Sequence, residues 1–265
     1  MGQFGIGQSV KRFEDVRLLR GEGRFLGDVS LPGQVHAVIL RSPHAHARIV
    51  SIDAAAALRA PGVLAVFTGA DVARDGLGTM KMTLKRTRPD GSPMFAPAHR
   101  GLAVERARHV GDPVPLVVAD TRAQAEDAAD LVRIDYEALP SITDTGLAAQ
   151  PGSAPVWDEC PDNVSNLHQA GDKAATDPAF ARAAHVVRRR YVITRVHAQY
   201  LESRGALGVY DPGEDRYTLY ADVQYPHRVR NALASNIFKI PEHQIRVIAR
   251  DVGGAFGTKG WHYAD

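Results

Sequence analysis

Between Asp251 and Gly260 the chain reads Asp251-Val252-Gly253-Gly254-Ala255-Phe256-Gly257-Thr258-Lys259-Gly260. Glycines at this density let a backbone come close to a ligand and adopt positive φ. A glycine-rich loop that follows a strand can aim its N–H groups at an anion or an oxo ligand. The segment Ile245-Arg246-Val247-Ile248-Ala249 just upstream reads as that strand. Two common phosphate patterns fail here. The P-loop ends in Gly-Lys-Ser/Thr, whereas Thr258 separates Gly257 from Lys259; the dinucleotide pattern needs glycine where Phe256 stands. A turn that holds no ligand is the other reading of the same residues.

Other candidate groups are sparser. His44 and His46 could share one face of a strand, but no third ligand lies near them in sequence, which leaves metal binding there the weaker reading. The single cysteine, Cys160, can form no internal disulfide and cannot hold a zinc or iron–sulfur site. Arg188-Arg189-Arg190 reads as the wet end of a strand.

Several elements must position these groups. Val35 to Arg41 is a strand with little polar content, expected to be buried on both faces. Ile49–Asp53, a short alanine-rich helix over 54–60 and Val63–Thr68 then read as one β-α-β-like unit. Residues 75–100 show no period and read as an irregular excursion. A second unit follows: a strand over 114–119, a helix capped by Thr121 and Gln124 with Ala125, Ala128, Ala129 and Val132 inward, and a strand over 133–137. Residues 140–156 form the best linker, which places a domain boundary near 150. Residues 184–196 are strand-like. Ala206–Tyr210 and Tyr217–Val223 form a hairpin around a five-residue turn, Asp211 to Asp215. Gln224 ends its second strand, and Pro226 opens a helix with Val229, Leu233 and Ile237 inward. The strand ends at Gln224 and Asp251 could then face one crevice, the usual place for a ligand.

Composition sets bounds. The chain has 265 residues, 45% hydrophobic and 23% charged, with a formal net charge of +2. This is an ordinary globular profile of one or two domains, and a charge so near zero argues against a dedicated nucleic-acid binder. No run is long and apolar enough for a membrane helix, and no signal segment opens the chain, so the expected location is the cytoplasm.

The chain resembles the large, molybdenum-binding subunit of the xanthine dehydrogenase, aldehyde oxidase and carbon monoxide dehydrogenase family along nearly its whole length. Ser42-Pro43-His44-Ala45-His46-Ala47-Arg48-Ile49, Pro61-Gly62-Val63 with Phe67-Thr68-Gly69, and the stretch from Val110-Gly111-Asp112-Pro113-Val114 to Asp135-Tyr136-Glu137 resemble its a/b hammerhead domain. Glu202-Ser203-Arg204-Gly205, Gln224-Tyr225-Pro226-His227 and the glycine loop resemble the start of its molybdopterin domain. The resemblance implies an α+β fold: an N-terminal arm over 1–20, an a/b hammerhead domain over 21–150, and the beginning of a molybdopterin-binding α+β domain over 151–265.

On that resemblance Gln224 would hydrogen-bond a molybdenum oxygen ligand. Gly254, Ala255, Phe256 and Gly257 would offer backbone N–H groups to the cofactor, with Phe256 also walling the metal site. No catalytic residue and no direct metal ligand is expected among these residues. Glu202 and Arg204 match a family Glu-Pro-Arg-Gly segment, with Ser203 in place of proline, and read first as a buried salt bridge. Ala255 replaces a frequent glycine, which requires negative φ there. Gly260 stands where purine-oxidising members carry a substrate-binding glutamate, which argues against xanthine. The family implies hydroxylation of an aldehyde, a heterocycle or carbon monoxide with water as the oxygen source. It also implies a molybdenum–molybdopterin cofactor, in the cytosine dinucleotide form of bacterial relatives. Iron–sulfur and FAD would sit on separate small and medium subunits, assembled as a dimer of heterotrimers. Family subunits run to several hundred residues, so the chain is expected to be an N-terminal piece, inactive by itself. The alternative is a non-catalytic fragment or assembly scaffold. A nucleotide-binding protein is a third, weaker reading, since its phosphate motif fails.

Overall fold

The computed structural model describes residues 7, 9–82, 84–88, 90–194 and 196–260; residues 1–6 and 8 of the expected arm lie outside it. The chain divides into two units, one built from residues 35–198 and the other from residues up to 34 together with 199–260. The first helix, α1 (Asp15–Leu19), belongs to the second of these.

In the unit of 35–198 the strands are β1 (His36–Arg41), β2 (Ala47–Asp53), β3 (Val63–Phe67), β4 (Arg106–Ala107), β5 (Pro113–Ala119) and β6 (Arg133–Ala138). They form two sheets, ordered β1-β5-β3 and β4-β2-β6, and every pairing is antiparallel. Helices α2 (Gly69–Arg74), α3 (Arg122–Ala129) and α4 (Lys173–Arg182) accompany them. The capping box of α3 forms as expected: the Gln124 N–H donates to the Thr121 hydroxyl at 3.2 Å, and the Thr121 N–H to the Gln124 side chain at 3.1 Å. Its inner alanines Ala125 and Ala128 are fully buried. Ala128 packs with Val117 of β5 and with Ala57, ringed by Val38, Leu40, Ile52 and Ile134.

Three expectations need correction here. β1 is not buried on both faces: it lies at the edge of its sheet, and the near-continuous burial belongs to central β5. Residues 47–67 do not close a β-α-β unit. The alanine-rich helix shrinks to a 3-10 turn, Ala57–Arg59, and β2 and β3 lie in different sheets. A parallel pair needs a crossover of about a dozen residues or more, and residues 54–62 are too few. Finally, no strand forms among the described residues of 184–196, where Tyr191, Val192, Ile193 and Val196 are all at least 76% exposed. Alternation makes such a segment able to pair, but a strand exists only with a hydrogen-bonded neighbour.

The stretch expected as a linker lies within the unit of 35–198. The Asn163 side chain donates to Ala148 O (2.9 Å) and Ala154 O (3.0 Å). Phe95 N–H donates to Ser165 O (2.9 Å), and the Arg88 guanidinium to the carbonyls of Val164 and Ser165. The irregular excursion over 75–100 is thus fastened to residues 160–165. Helix α4, with Asp172 accepting from Ala175 N–H at 2.9 Å as its cap, was not foreseen from its weak pattern.

The second unit contains β7 (Ala206–Asp211), β8 (Arg216–Ala221), α5 (Pro226–Ala232) and β9 (Ile245–Ile248). Their sheet order is β7-β8-β9. The hairpin β7–β8 is antiparallel; Asp211 pairs with Arg216 in the ladder, so the turn is one residue shorter than expected. β8 and β9 run parallel, Tyr217 opposite Ile245 through Tyr220 opposite Ile248. The crossover between them is Pro226-led α5, which buries Val229, and the π-helical turn Leu233–Phe238 that ends at Lys239 in the left-handed region (φ 58°). Among the described residues no helix is long and apolar enough to cross a membrane.

Candidate functional site

Because β8 and β9 are parallel, their C-terminal ends emerge on the same edge of the sheet. Gln224 follows β8 and the glycine loop follows β9. A backbone hydrogen bond joins the two exits, Gln224 N–H to Lys259 O at 3.0 Å. The exposed Gln224 side chain lies against the loop's end, its Oε1 3.5 Å from where a Cβ on Gly260 would stand. Its carboxamide has no hydrogen-bond partner among the described residues.

The loop's own amides divide into two groups. Gly253 N–H donates to Glu202 Oε2 (2.6 Å), Thr258 N–H to Ala255 O (2.9 Å) and Gly260 N–H to Gly257 O (3.4 Å). The N–H groups of Gly254, Ala255, Phe256 and Gly257 donate to nothing among the described residues. The backbone is left-handed at Gly254 (φ 96°), Phe256 (φ 49°) and Gly257 (φ 88°). Ala255 has negative φ, as its methyl requires. Reversals of this kind turn successive N–H groups into an anion-accepting concavity. Phe256 is 76% exposed and holds a conformation that costs a bulky residue about 1–2 kcal/mol, so the loop stores strain at the residue with the largest free surface.

Lys259 holds the loop down. It is 1% exposed, and its ammonium meets Glu202 Oε2 at 3.1 Å, Glu202 O at 2.8 Å and the Asp222 carboxylate, 4.6 Å above the Tyr200 ring. Glu202 also accepts from Leu26 N–H (3.1 Å), and Asp222 from Gly205 N–H (3.1 Å). The expected buried salt bridge at Glu202 is therefore real, but its cation is Lys259, supplied by the loop. Sequence reading missed both Lys259 and Asp222; a lysine among glycines gave the only hint. Glycine is required at 253, where a Cβ would stand 2.5 Å from Glu202 Cβ.

At the loop's start, Asp251 accepts two bonds from the Arg17 guanidinium (2.6 and 2.7 Å) and one from Arg24 N–H (2.7 Å). The Arg17 bond, then the Arg24 N–H, holds this carboxyl far below the usual range and raises the Arg17 pKa. The Asp251 side chain is thus spent on the N-terminal segment.

The histidine pair does not converge. His46 is buried with Nδ1 2.9 Å from Pro140 O, while the His44 ring stands 5.0 Å from that of Tyr136. Among the described residues no group of three His, Cys, Asp or Glu could hold a metal ion.

Residues 20–140 match the family model described as aldehyde oxidase and xanthine dehydrogenase, a/b hammerhead domain, and residues 156–265 match the molybdopterin cofactor-binding domain. The nicotine 6-hydroxylase large subunit of Paenarthrobacter nicotinovorans is 42% identical over 96% of this chain and 30% of its own length. The carbon monoxide dehydrogenase large chain of Afipia carboxidovorans is 36% identical over 98% of this chain and 32% of its own. The crystal structure of quinoline 2-oxidoreductase from Pseudomonas putida 86 superposes with a TM-score of 0.80 at 41% identity, over 96% of this chain and 31% of that one. The chain spans about a third of the length of these relatives.

Proposed function

The chain belongs to the family of molybdenum-binding large subunits of xanthine dehydrogenase, aldehyde oxidase and carbon monoxide dehydrogenase, and on that premise we propose that it forms part of a hydroxylase or dehydrogenase subunit that oxidises a small carbon substrate with water as the oxygen source. One observation carries the reading: four adjacent loop amides, Gly254 to Gly257, and the Gln224 carboxamide all lack partners among the described residues and sit at the exits of two parallel strands. That donor set fits an electron-rich oxygen ligand of a molybdenum–molybdopterin group. When bound, the cofactor supplies the two-electron redox chemistry. The chain's residues orient and stabilise: the amides and Gln224 give fixed hydrogen-bond donors, Phe256 gives an exposed apolar wall, and Lys259 keeps the loop seated. None of the five donors is an ionisable group. Fixed donors act strongly because they need no reorganisation as charge develops.

The hammerhead domain over 21–150 and the cofactor domain from 151 follow the same reading, as do the cytosine dinucleotide form of the cofactor and a cytoplasmic location. This chain's single cysteine cannot hold an iron–sulfur relay, and the family supports an iron–sulfur small subunit and an FAD-binding medium subunit as electron acceptors, in a dimer of heterotrimers. Among an aldehyde, a heterocycle and carbon monoxide, the relatives named for nicotine and quinoline favour a nitrogen heterocycle. Gly260 is closed in by Gly257 O and the Tyr225 ring, each 3.2 Å from a Cβ there. A side chain there would need these neighbours to give by a few tenths of an ångström, and glycine supplies no carboxylate, which disfavours xanthine.

The test is made on the complex purified from its source. Gln224→Ala should lower turnover by about 10²–10³, the loss typical of one fixed donor, while molybdenum content by mass spectrometry stays at the wild-type level. Wild-type turnover in that variant, or a wild-type complex without molybdenum, sinks the proposal.

A further inference from the structure

In the unit of 35–198 lies a hollow of about 500 Å³, in the size range of small-molecule sites. Its floor is the Arg108 guanidinium, laid on the Trp157 ring with Cζ 3.6 Å from the centroid. Arg108 Nε is buried and has no hydrogen-bond partner, and among the described residues the guanidinium forms no ion pair. Four charged groups act on Arg108 through space: Arg106 repels it, and Asp112, Glu159 and Asp158 attract it. Arg106 is committed to Asp158 at 2.9–3.0 Å. Asp112 accepts from Arg108's own backbone N–H at 2.8 Å and stands 3.7 Å from His109. Glu105 lines the rim, exposed and unpaired among the described residues, and Arg100 and His99 are exposed beside it. Leu102, Val104 and Val156 give the hollow apolar walls. Burial first, and then Arg106 alongside, pull the Arg108 pKa down against the opposing attraction of Asp112, Glu159 and Asp158.

A guanidinium edge presents parallel N–H donors that match a carboxylate, and a buried donor left unmade is costly. We propose that this hollow binds a small organic acid, its carboxylate on the Arg108 guanidinium and its apolar body against Leu102, Val104 and Val156. Stacking on Trp157 holds the guanidinium flat, so the donor edge is set before the ligand arrives. The Glu105 carboxylate on the lining would repel the incoming carboxylate and limit affinity.

Calorimetry on the 265-residue chain, with hexanoate as probe and hexanol and inorganic phosphate as controls, tests this. Hexanoate should saturate at one site, with hexanol and phosphate weaker by at least about tenfold, the factor expected for one charge-assisted bond. Arg108→Lys keeps the charge but not the planar edge and should weaken hexanoate by about tenfold. Glu105→Gln, an exposed change that leaves Arg108 in place, should tighten it severalfold. The proposal is overturned by the absence of saturation in the wild type, by phosphate or hexanol binding as tightly as hexanoate, by unchanged affinity in Arg108→Lys, or by unchanged affinity in Glu105→Gln.

Discussion

Residues 47–67 and 216–248 share one local grammar, strand then helical turn then strand, and fold in opposite ways. The first sends its strands to different sheets through a 3-10 turn. The second closes a parallel pair through α5 and the turn after it. The deciding variable is the connection, residues 54–62 against 222–244. Only the longer one can climb over the sheet and return in the same direction. The consequence is functional. In the unit of 35–198 every described pairing is antiparallel, so hydrogen-bonded neighbours leave the sheet at opposite edges. The parallel pair β8–β9 puts Gln224 and the glycine loop on one edge, where ligands of open sheets bind.

Lys259→Met tests what secures that edge and should have the largest effect. It leaves the Glu202 and Asp222 carboxylates buried without their ammonium, a loss of about 3–5 kcal/mol. Hydrogen exchange should rise at β8 and β9 and stay unchanged at β2 and β6; equal protection in the variant would remove Lys259 as the loop's anchor.

Gly254→Ala comes next. It puts a Cβ in the left-handed region, 3.0 Å from Tyr200 Cβ, and should cost about 1–2 kcal/mol in denaturant unfolding. Ala255→Gly, where φ is already ordinary, serves as the near-neutral partner. If both substitutions give the same midpoint, the loop does not hold the conformation described here.

The smallest effect concerns Asp251, on the second of the compared stretches' downstream side. Its carboxyl is depressed by Arg17, so the interaction stabilises at every pH above the ordinary carboxylate value of about 3.9. It is lost only as pH falls toward the lower folded value. Protease cleavage within residues 9–34 should therefore stay slow at mildly acid pH and accelerate only in stronger acid, whereas Asp251→Asn should be cleaved quickly at neutral pH too. Identical pH profiles for the two proteins would rule out the clamp.

Local signals were read well where they are self-contained. The Thr121–Gln124 cap, the hairpin β7–β8 and the requirement for negative φ at Ala255 each depend on neighbouring residues alone. The strand expected over 184–196 failed because pairing partners are not written in the segment itself. The wrong cation at Glu202 has a similar origin: Arg204 is two residues away in sequence, but Lys259 is brought in by the fold from the far end of the chain.

The sequence by itself determined the glycine loop, the glutamine that precedes Pro226, the α+β composition and the family resemblance, because backbone freedom, helix capping and motif spacing are properties of short stretches. The tertiary structure alone decided which strands are parallel, that four loop amides lack acceptors among the described residues, and that Lys259 sits between two carboxylates. Those are relations between residues far apart in the chain, fixed by the length of a crossover and by which buried charges find each other.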